Sequence, residues 1–568
     1  MITFRPMPSL APSTCHPHRR SVRPFCGIAA LVSVLCLLPA VSFAQIALTH
    51  TEDAAPVPRG TLRARITTGW TRFDERFTAN GRRTLGEELS TDSLGPRQFP
   101  GLVPIEQNLQ TLANNPGVRL SFGRLRANSD ARVVTTPIAL EYGLTQRLSI
   151  GVLVPVVQTR RNIQLTVNPD SQGNVGYLPA RLRGAAASAN ALVSAAFRSA
   201  ADSLGILLSR CPANPTASGC AAVNANATDA AAAQLQARRF ADAVSAGLGT
   251  DTARALVAPR DKSALALAID AQRTALNLRV RQYLGSSAGA ASGVFTTPAP
   301  FTAIDLQGRN GVPGLLQGPL GGGLDSITTI NRLGIGDVEV GAQYLVVDRF
   351  SRDTLPIRGI QMRLAIGGSY RFATSLADST RNTLAIRTGD GAGFELRSAM
   401  DVVAGRLGGT VVARYRQSFS RGVTAPLIGD PEAVFPAPLF GAVQRTAGTL
   451  MGLDITPRYL LDEWLALDGH YGIERIGATT YHRPTSATTC AGCETLAPYV
   501  PSTATRTAQR VGLGVRYSTA DAFRRGLARY PVEVSYTHLE TITGDAGVPK
   551  LSRDQIQLRL FLRFFNAR

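Results

Sequence analysis

Hydrophobic and polar residues alternate along much of this chain. From Gly336 to Val347, Val338, Val340, Ala342, Tyr344 and Val346 share one phase, and Asp337, Glu339 and Gln343 the other. From Ile360 to Phe372, Met362, Leu364, Ile366, Tyr370 and Phe372 oppose Gln361, Arg363, Ser369 and Arg371. Phe394, Leu396, Met400 and Val402 oppose Glu395, Arg397 and Asp401; Val411, Ala413, Tyr415 and Phe419 oppose Arg414, Arg416 and Ser418. Leu465, Leu467, Tyr471 and Ile473 oppose Asp468, His470 and Glu474. A period of two puts the phases on opposite faces of a β-strand. These runs last about 11 to 15 residues, whereas globular strands last about 5 or 6 and a tilted bilayer-crossing strand needs about 9 to 11.

Twelve segments behave this way: 62–73, 132–144, 148–166, 336–348, 357–372, 393–404, 409–420, 446–460, 464–478, 505–518, 530–543 and 551–565. Every even-numbered connection between them is short, and every odd-numbered one except the last is longer than all of those. Tight turns at one end and long loops at the other are the pattern of a transmembrane barrel with both termini in the periplasm. The expected fold is therefore an all-β, antiparallel transmembrane barrel of about twelve strands. Pro137, Pro155 and Pro457 fall inside predicted strands. A barrel has no edge on which to place a missing donor, so each proline implies a bulge or a misplaced boundary.

The ends of the chain agree with that fold. His18 to Arg23 is a basic stretch, Gly27 to Leu38 an apolar run, and Ser42-Phe43-Ala44 a cleavage site. Together they predict a secretory signal peptide at 1–44, export through the general secretory pathway and a barrel domain at 45–568. The apolar run is shorter than the roughly 20 residues of a spanning helix, and Leu35 before Cys36 argues against a lipoprotein signal. No later window holds 18 uncharged apolar residues, so an exported membrane protein of this sequence has to span as a closed barrel. At the other end, Ile556, Leu558, Leu560, Leu562 and Phe564 alternate with Gln557, Arg559 and Arg563. This last strand looks like the signal read by the barrel-assembly machinery, with Asn566 to Arg568 trailing its aromatic end.

Between the third and fourth strands the period changes. Residues 183–289 are Ala-rich with helical spacing: Leu192, Ala195, Ala196 and Ser199 share a face, Ala232, Leu235, Phe240 and Ala243 mark a second helix opened by Thr228-Asp229, and Ala264 to Tyr283 marks a third. The expectation is an α-helical insert, either a lumenal plug or gate or an extracellular cap. Gly321-Gly322-Gly323 suits a flexible return to the fourth strand.

Charge sharpens this reading. The chain is 44% hydrophobic and 18% charged, and of its 60 basic residues only Lys262 and Lys550 are lysine. Removing the signal takes four arginines and no acid, leaving a formal charge of +16. No basic block is dense enough for nucleic acid. Isolated charges are tolerated inside a wet barrel but costly on its lipid face. The predicted lumen-lining residues are therefore Glu339, Arg363, Arg371, Glu395, Arg397, Asp401, Arg414, Arg416, Arg458, Asp468, His470, Arg510, Arg516, Arg559 and Arg563, with Glu141, Asp337 and Glu533 in the same phase. Their mixed signs suit a cross-linked wall, and the surplus of arginine could bias passage toward anions.

Catalytic and cofactor chemistry find little support. Cys211 and Cys220, and Cys490 and Cys493, form even sets in loops of an exported protein and predict two local disulfides. A zinc site at Cys490, Cys493 and His482 lacks a fourth ligand. His470 with Asp468 and Glu474 is the one hint of an acid–base relay, and a salt-bridge role suits that face better. Thr388-Gly389-Asp390-Gly391 carries too few carboxylates for calcium. No cofactor or metal is expected, and the chain is read as a non-enzyme.

Two stretches carry a family resemblance. Glu141-Tyr142-Gly143-Leu144-Thr145-Gln146-Arg147-Leu148-Ser149-Ile150-Gly151-Val152, running on to Pro155, resembles the hairpin of the outer-membrane barrel family named for the MetA pathway of phenol degradation. Gly334-Ile335-Gly336-Asp337-Val338-Glu339-Val340-Gly341 is similar to that family's "GlGD" strand opening. The resemblance covers some 25 residues and implies an outer-membrane channel taking up small organic or aromatic molecules. The family's proline-threonine-glycine after its next strand is replaced by Phe372-Ala373-Thr374-Ser375, and its core lacks the helical insert.

The leading expectation is a passive outer-membrane channel or transporter for small solutes, surrounded by outer-membrane lipid and lipopolysaccharide. The alternatives are a structural or adhesive barrel with a closed lumen and a partner-binding insert, and an outer-membrane hydrolase.

Overall fold

The computed structural model describes residues 53–563 apart from 169–171, 250–255, 309–313, 319–326, 351–358, 376–385, 387, 429–439, 483–496, 499–503 and 525–526. The predicted signal peptide at 1–44, the Cys490–Cys493 pair, Gly321 to Gly323 and the terminal Phe564 and Phe565 lie outside the described residues. Twelve long strands form one sheet: β1 Thr61–Thr78, β2 Leu125–Gly143, β3 Leu148–Val167, β4 Glu339–Asp348, β5 Ile360–Arg371, β6 Gly393–Ala404, β7 Leu407–Ser418, β8 Leu450–Leu460, β9 Leu465–Ile476, β10 Arg506–Ser518, β11 Val532–Gly544 and β12 Pro549–Arg563. Each pairs antiparallel with its sequence neighbours, and β1 pairs with both β2 and β12. Leu62 lies opposite Tyr142 on one side and Leu562 on the other. The sheet is thus a closed ring, and each of the twelve predicted segments contributes one strand to it.

The alternating phases separate as the pattern predicts. On β10, Val511, Leu513, Val515 and Tyr517 are exposed outward, while Arg506 and Arg516 are buried. On β12, Ile556 and Leu562 are exposed, while Arg553, Gln555, Gln557 and Arg559 are buried. Aromatic residues gather at both ends of the apolar wall, as at the two interfaces of a membrane barrel. Trp464 and Tyr517 meet at 6.3 Å near the short turns. Tyr370, Phe372, Phe394, Tyr415 and Phe419 form a chain of ring contacts at the other end.

All three prolines stay within their strands, and each sits where one ladder is interrupted. Pro137 and Pro155 face each other across β2 and β3. The β1–β2 ladder skips the residues opposite Thr136 and Pro137. Beside Pro155, β3 changes partner from Glu339 of β4 to the preceding segment Ile330–Ile335, and the Gly336 N–H donates to the Pro155 carbonyl. The β8–β9 ladder skips Thr456 and Pro457. A residue without an N–H cannot bond on both sides, so one neighbouring ladder gives way while the strand continues.

At the end away from the short turns stands a helical layer: α1 Val103–Leu112, α2 Ala180–Arg210, α3 Ala227–Gly247 and α4 Ala264–Leu284. Helix α1 was not anticipated by the period, and α2 starts at Ala180 rather than Arg183. The buried face of α2 is Val193, Phe197, Ala200, Ala201 and Leu204, whereas Leu192 and Ala195 point to solvent. Phe197 packs edge-on against Phe240 of α3, centroids 5.0 Å apart. Asn226 caps α3 by accepting the Asp229 N–H, correcting the expectation of a Thr228-Asp229 cap. The Asp229 side chain is taken instead by Tyr283, whose hydroxyl donates at 2.7 Å, and by Arg279. These two bonds hold its carboxyl below the usual range. Cys211 and Cys220 are disulfide-bonded at the end of α2. Ala127 of β2 and Ile163, Leu165 and Val167 of β3 pack against this core, which contains none of the predicted lumen-lining residues. The layer therefore rests on the far ends of β2 and β3.

Two outcomes are expected. Leu513→Arg, on a side chain 75% exposed in the middle of the outer wall, destabilises the barrel by about 2–4 kcal/mol in urea titration of refolding into lipid vesicles. Cys211→Ser with Cys220→Ser opens a closed loop with a sequence separation of 9. It costs the helical layer about 2.5 kcal/mol, read as an earlier loss of helical circular dichroism on heating while the strand signal persists.

Candidate functional site

Inside the ring, strand phase places guanidinium and carboxylate groups side by side, and they join into a belt. Arg458 of β8 donates through Nε to Asp468 Oδ1 of β9 at 2.7 Å. Arg516 of β10 reaches Asp468 Oδ2 at 3.2 Å and Glu533 Oε1 of β11 at 3.3 Å. Arg559 of β12 meets the same Glu533 oxygen at 3.3 Å and, with the same Nη1, Asp53 Oδ2 at 2.6 Å. Asp53 lies 3.9 Å from Arg63 of β1, which pairs with Glu141 of β2; Arg65 meets the other oxygen of Glu141 at 3.4 Å. Alternating charges thus run from β8 round to β2, and the link between Arg559 and Arg63 comes from the segment before β1.

That segment lies inside the barrel. The Ala54 N–H donates to Asp401 Oδ2 of β6 at 3.0 Å, Gln343 of β4 donates to the Asp53 carbonyl at 3.4 Å, and Arg63 donates to the Ala55 carbonyl at 3.3 Å. Ala54 is fully buried among Leu345, Ala365, Ala399 and Val412, one residue from each of β4 to β7. Val57 is fully buried as well. The chain leaves the lumen past Gly143, where a Cβ would stand 2.2 Å from the Pro58 carbonyl oxygen and only glycine fits. Burial pushes the Asp53 carboxyl up, but Arg559, Arg63 and Arg516 together outweigh it and hold the group well below the ordinary carboxylate range.

The other predicted lumenal residues fall on the same inner surface. Arg416 pairs with Glu395 at 2.7 Å, and Arg414 pairs with Asp454. Arg510 pairs with Glu474 at 3.2 Å and Arg363 with Asp348 at 3.5 Å. Arg371 donates to the Gly391 carbonyl and to Ser418, and Arg397 donates to Gln343. Glu339 lines a cavity with Arg65, Glu141, Gln343, Glu395 and Arg397. The side chain of Arg563 lies outside the described residues. Asp337 accepts N–H groups from Ser375 and Gly391, so the Thr388–Gly391 turn folds onto the barrel end.

The relay suggested around His470 is not assembled. Asp468 is held by Arg458 and Arg516, and Glu474 by Arg510, while His470 contacts Thr456 at 3.2 Å and lies 3.6 Å from Asp454. No group of three or more metal-ligating side chains occurs among the described residues. Arg63, Arg65 and Asp454 are functional neighbours that strand phase could have revealed, since each stands between two outward apolar residues. Asp53 belongs to no periodic segment, and nothing local in the sequence marks it.

Two cavities adjoin the belt. The cavity beside Glu339 leaves about 70 Å³ to the centre of a water molecule, and one beside Asp53, Asp468 and His470 about 20 Å³. Sites that enclose organic ligands are usually roughly 300–1,000 Å³. An apolar outer wall with aromatic residues at both ends around a charged interior is the construction of an outer-membrane barrel, and the N-terminal segment lies within this one.

No protein-family model and no curated protein matches the chain. Among solved structures, an outer membrane channel from Pseudomonas putida F1 aligns over 90% of this chain and 99% of its own at 8% identity and a TM-score of 0.39. The Pseudomonas putida toluene transporter TodX aligns over 93% and 96% at 10% identity and 0.24. A Pseudomonas aeruginosa FadL homologue aligns over 89% and 91% at 9% identity and 0.26. Likeness at that level carries no weight for function, and the barrel rests on its own strand pairing.

Proposed function

We propose that this chain is a passive outer-membrane channel for small solutes, closed by its own N-terminal segment. The observation that carries the reading is the course of Asp53 to Val57 across the lumen, held by residues of β1, β4, β6 and β12. A barrel whose only task is structural can fill its interior with wall side chains. Here a separate segment completes the filling, and a separate segment can leave. The helical layer lies at the opposite end from the short turns, which with periplasmic termini makes it an extracellular cap. The solutes best matched to the resemblance at Glu141–Val152 and Gly334–Gly341 are small organic or aromatic molecules.

Planar-bilayer recording tests this. The intact protein is expected to conduct weakly or in rare openings, and deletion of residues 45–57 from the mature chain to give sustained conductance. Absence of conductance in both would favour a structural or adhesive barrel instead. Asp53→Asn removes one partner of a buried ionic link, at a cost of about 3 kcal/mol to the closed form, which corresponds to roughly a hundredfold gain in the open-to-closed ratio.

The pH dependence has a definite sign. A carboxyl held low contributes to closure above its free value of about 4, and that contribution fades only as pH falls toward its depressed value. The Asp53 contribution to closure therefore stays constant between pH 7.5 and 5.

A further inference from the structure

Three inward steps along β12 from Arg559, toward the helical layer, the lumen holds guanidinium nitrogens that the wall does not satisfy. Arg553 is 2% exposed, and its Nε and Nη1 are buried without a hydrogen-bond partner. The charged side chains that act on it are Arg510 of β10, Arg414 of β7 and Glu474 of β9. Glu474 is already engaged, because Arg510 donates to both of its oxygens, at 3.2 and 3.4 Å. Arg414 donates to Asp454 through Nη2, while its Nε and Nη1, like Arg510 Nε, are buried without a partner. Glu395, which also acts on Arg414, is bonded to Arg416. Within hydrogen-bond reach, the three guanidiniums thus have two carboxylates, and five of their nitrogens are buried and unsatisfied. A buried donor without an acceptor is costly, most of all on a charged group.

The wall makes room for these groups. At Gly69 of β1 a Cβ would come within 2.8 Å of Arg553 Nε, and at Gly452 of β8 one would lie 3.4 Å from Arg414 Nη2. Both guanidiniums rest on backbone that carries no side chain, and any larger residue at position 69 displaces Arg553. Thr71 and Leu539 lie directly opposite Arg553 on β1 and β11, and Thr541 lies opposite Arg510. The hydroxyls of Thr71 and Thr541 are buried without a partner as well. Leu539 and Val412, the latter two residues before Arg414 on the same face, are both buried, and both line the smaller cavity with Asp454 and Gln555. Unsatisfied donors and apolar side chains therefore stand together in an otherwise polar lumen.

That combination selects a ligand class. Guanidinium groups recognise a carboxylate through paired N–H donors, and Leu539 and Val412 offer surface to hydrocarbon, which an inorganic ion does not carry. We infer that Arg553, with Arg510 and Arg414, binds the carboxylate of a small organic acid in the lumen, the acid's apolar part resting on Leu539 and Val412. Arg553 turns off Gly69 to meet it, since its Nε and Nη1 are covered while it lies against the wall. The inference rests on the reading of the barrel as a solute channel and names the class of solute.

The test is fluorine NMR titration of the purified protein in detergent with para-fluorobenzoate, in the intact chain and after deletion of residues 45–57. The deletion is expected to bind it, and to bind at least tenfold more weakly once Arg553→Gln is added. The neutral para-fluorobenzamide should bind at least tenfold more weakly than the acid. No binding of the acid by either protein, equal binding of the amide, or unchanged binding in Arg553→Gln would overturn the site. Displacement of the acid by equimolar chloride or inorganic phosphate would overturn the organic assignment and leave an inorganic-anion site. Arg553→Gln has a second readout: its urea midpoint for refolding into vesicles should equal or exceed that of the wild type, and a lowered midpoint would make Arg553 a structural link instead. Gly69→Ala, which displaces the guanidinium without removing its charge, carries the test if Arg553→Gln does not fold; affinity is expected to shift at least threefold, and no shift would overturn the site. Bilayer conductance of the 45–57 deletion separates the two readings: conductance without benzoate binding rejects this site alone, and binding without conductance rejects the channel alone.

Discussion

The structure depends on one electrostatic constraint: a guanidinium enclosed by a barrel wall is costly unless a carboxylate meets it. Closing the sheet turns one phase of every strand inward, and in this chain that phase is rich in arginine. A buried charge without a partner is far more costly than a paired one. The belt from Arg458 to Arg65 is the solution, with each acid between two arginines. Its wall residues leave a gap between Arg559 and Arg63, and Asp53 fills it from outside the strand set. Enclosing the lumen and placing the N-terminal segment within it are thus coupled through the Asp53 carboxylate and, at Ala54, that of Asp401.

The same logic divides the molecule into regions of different character. The inner surface is held by ionic links, and the outer surface is mostly apolar, interrupted where His538 meets Asp554 beside Leu513. The helical layer has an ordinary hydrophobic core and a disulfide, and it meets the barrel through the far ends of β2 and β3.

Strand order, closure and the face of most charged residues were legible in the sequence, because period two is a local property and most charges of the strands kept to one phase. The prolines were legible as interruptions, though not which ladder would break. The helical insert was recognised by its period, but its packing face was not. On α2 the small residues around Leu192 look as apolar as the true core face at Val193, Phe197 and Leu204, and only the position of α3 distinguishes them. The acids around His470 illustrate a different limit. Asp468 and Glu474 share its strand face, yet their partners come from β8 and β10, which strand phase alone does not pair with them.

By itself the sequence determined an antiparallel membrane barrel of twelve strands with a charged interior, since alternation, run length and the rhythm of short and long connections are all written along the chain. Only the tertiary structure showed that a further segment lies within that interior. Asp53 has no periodic context and gains its role when curvature brings β1 beside β12, so that Arg63 and Arg559 face the same point.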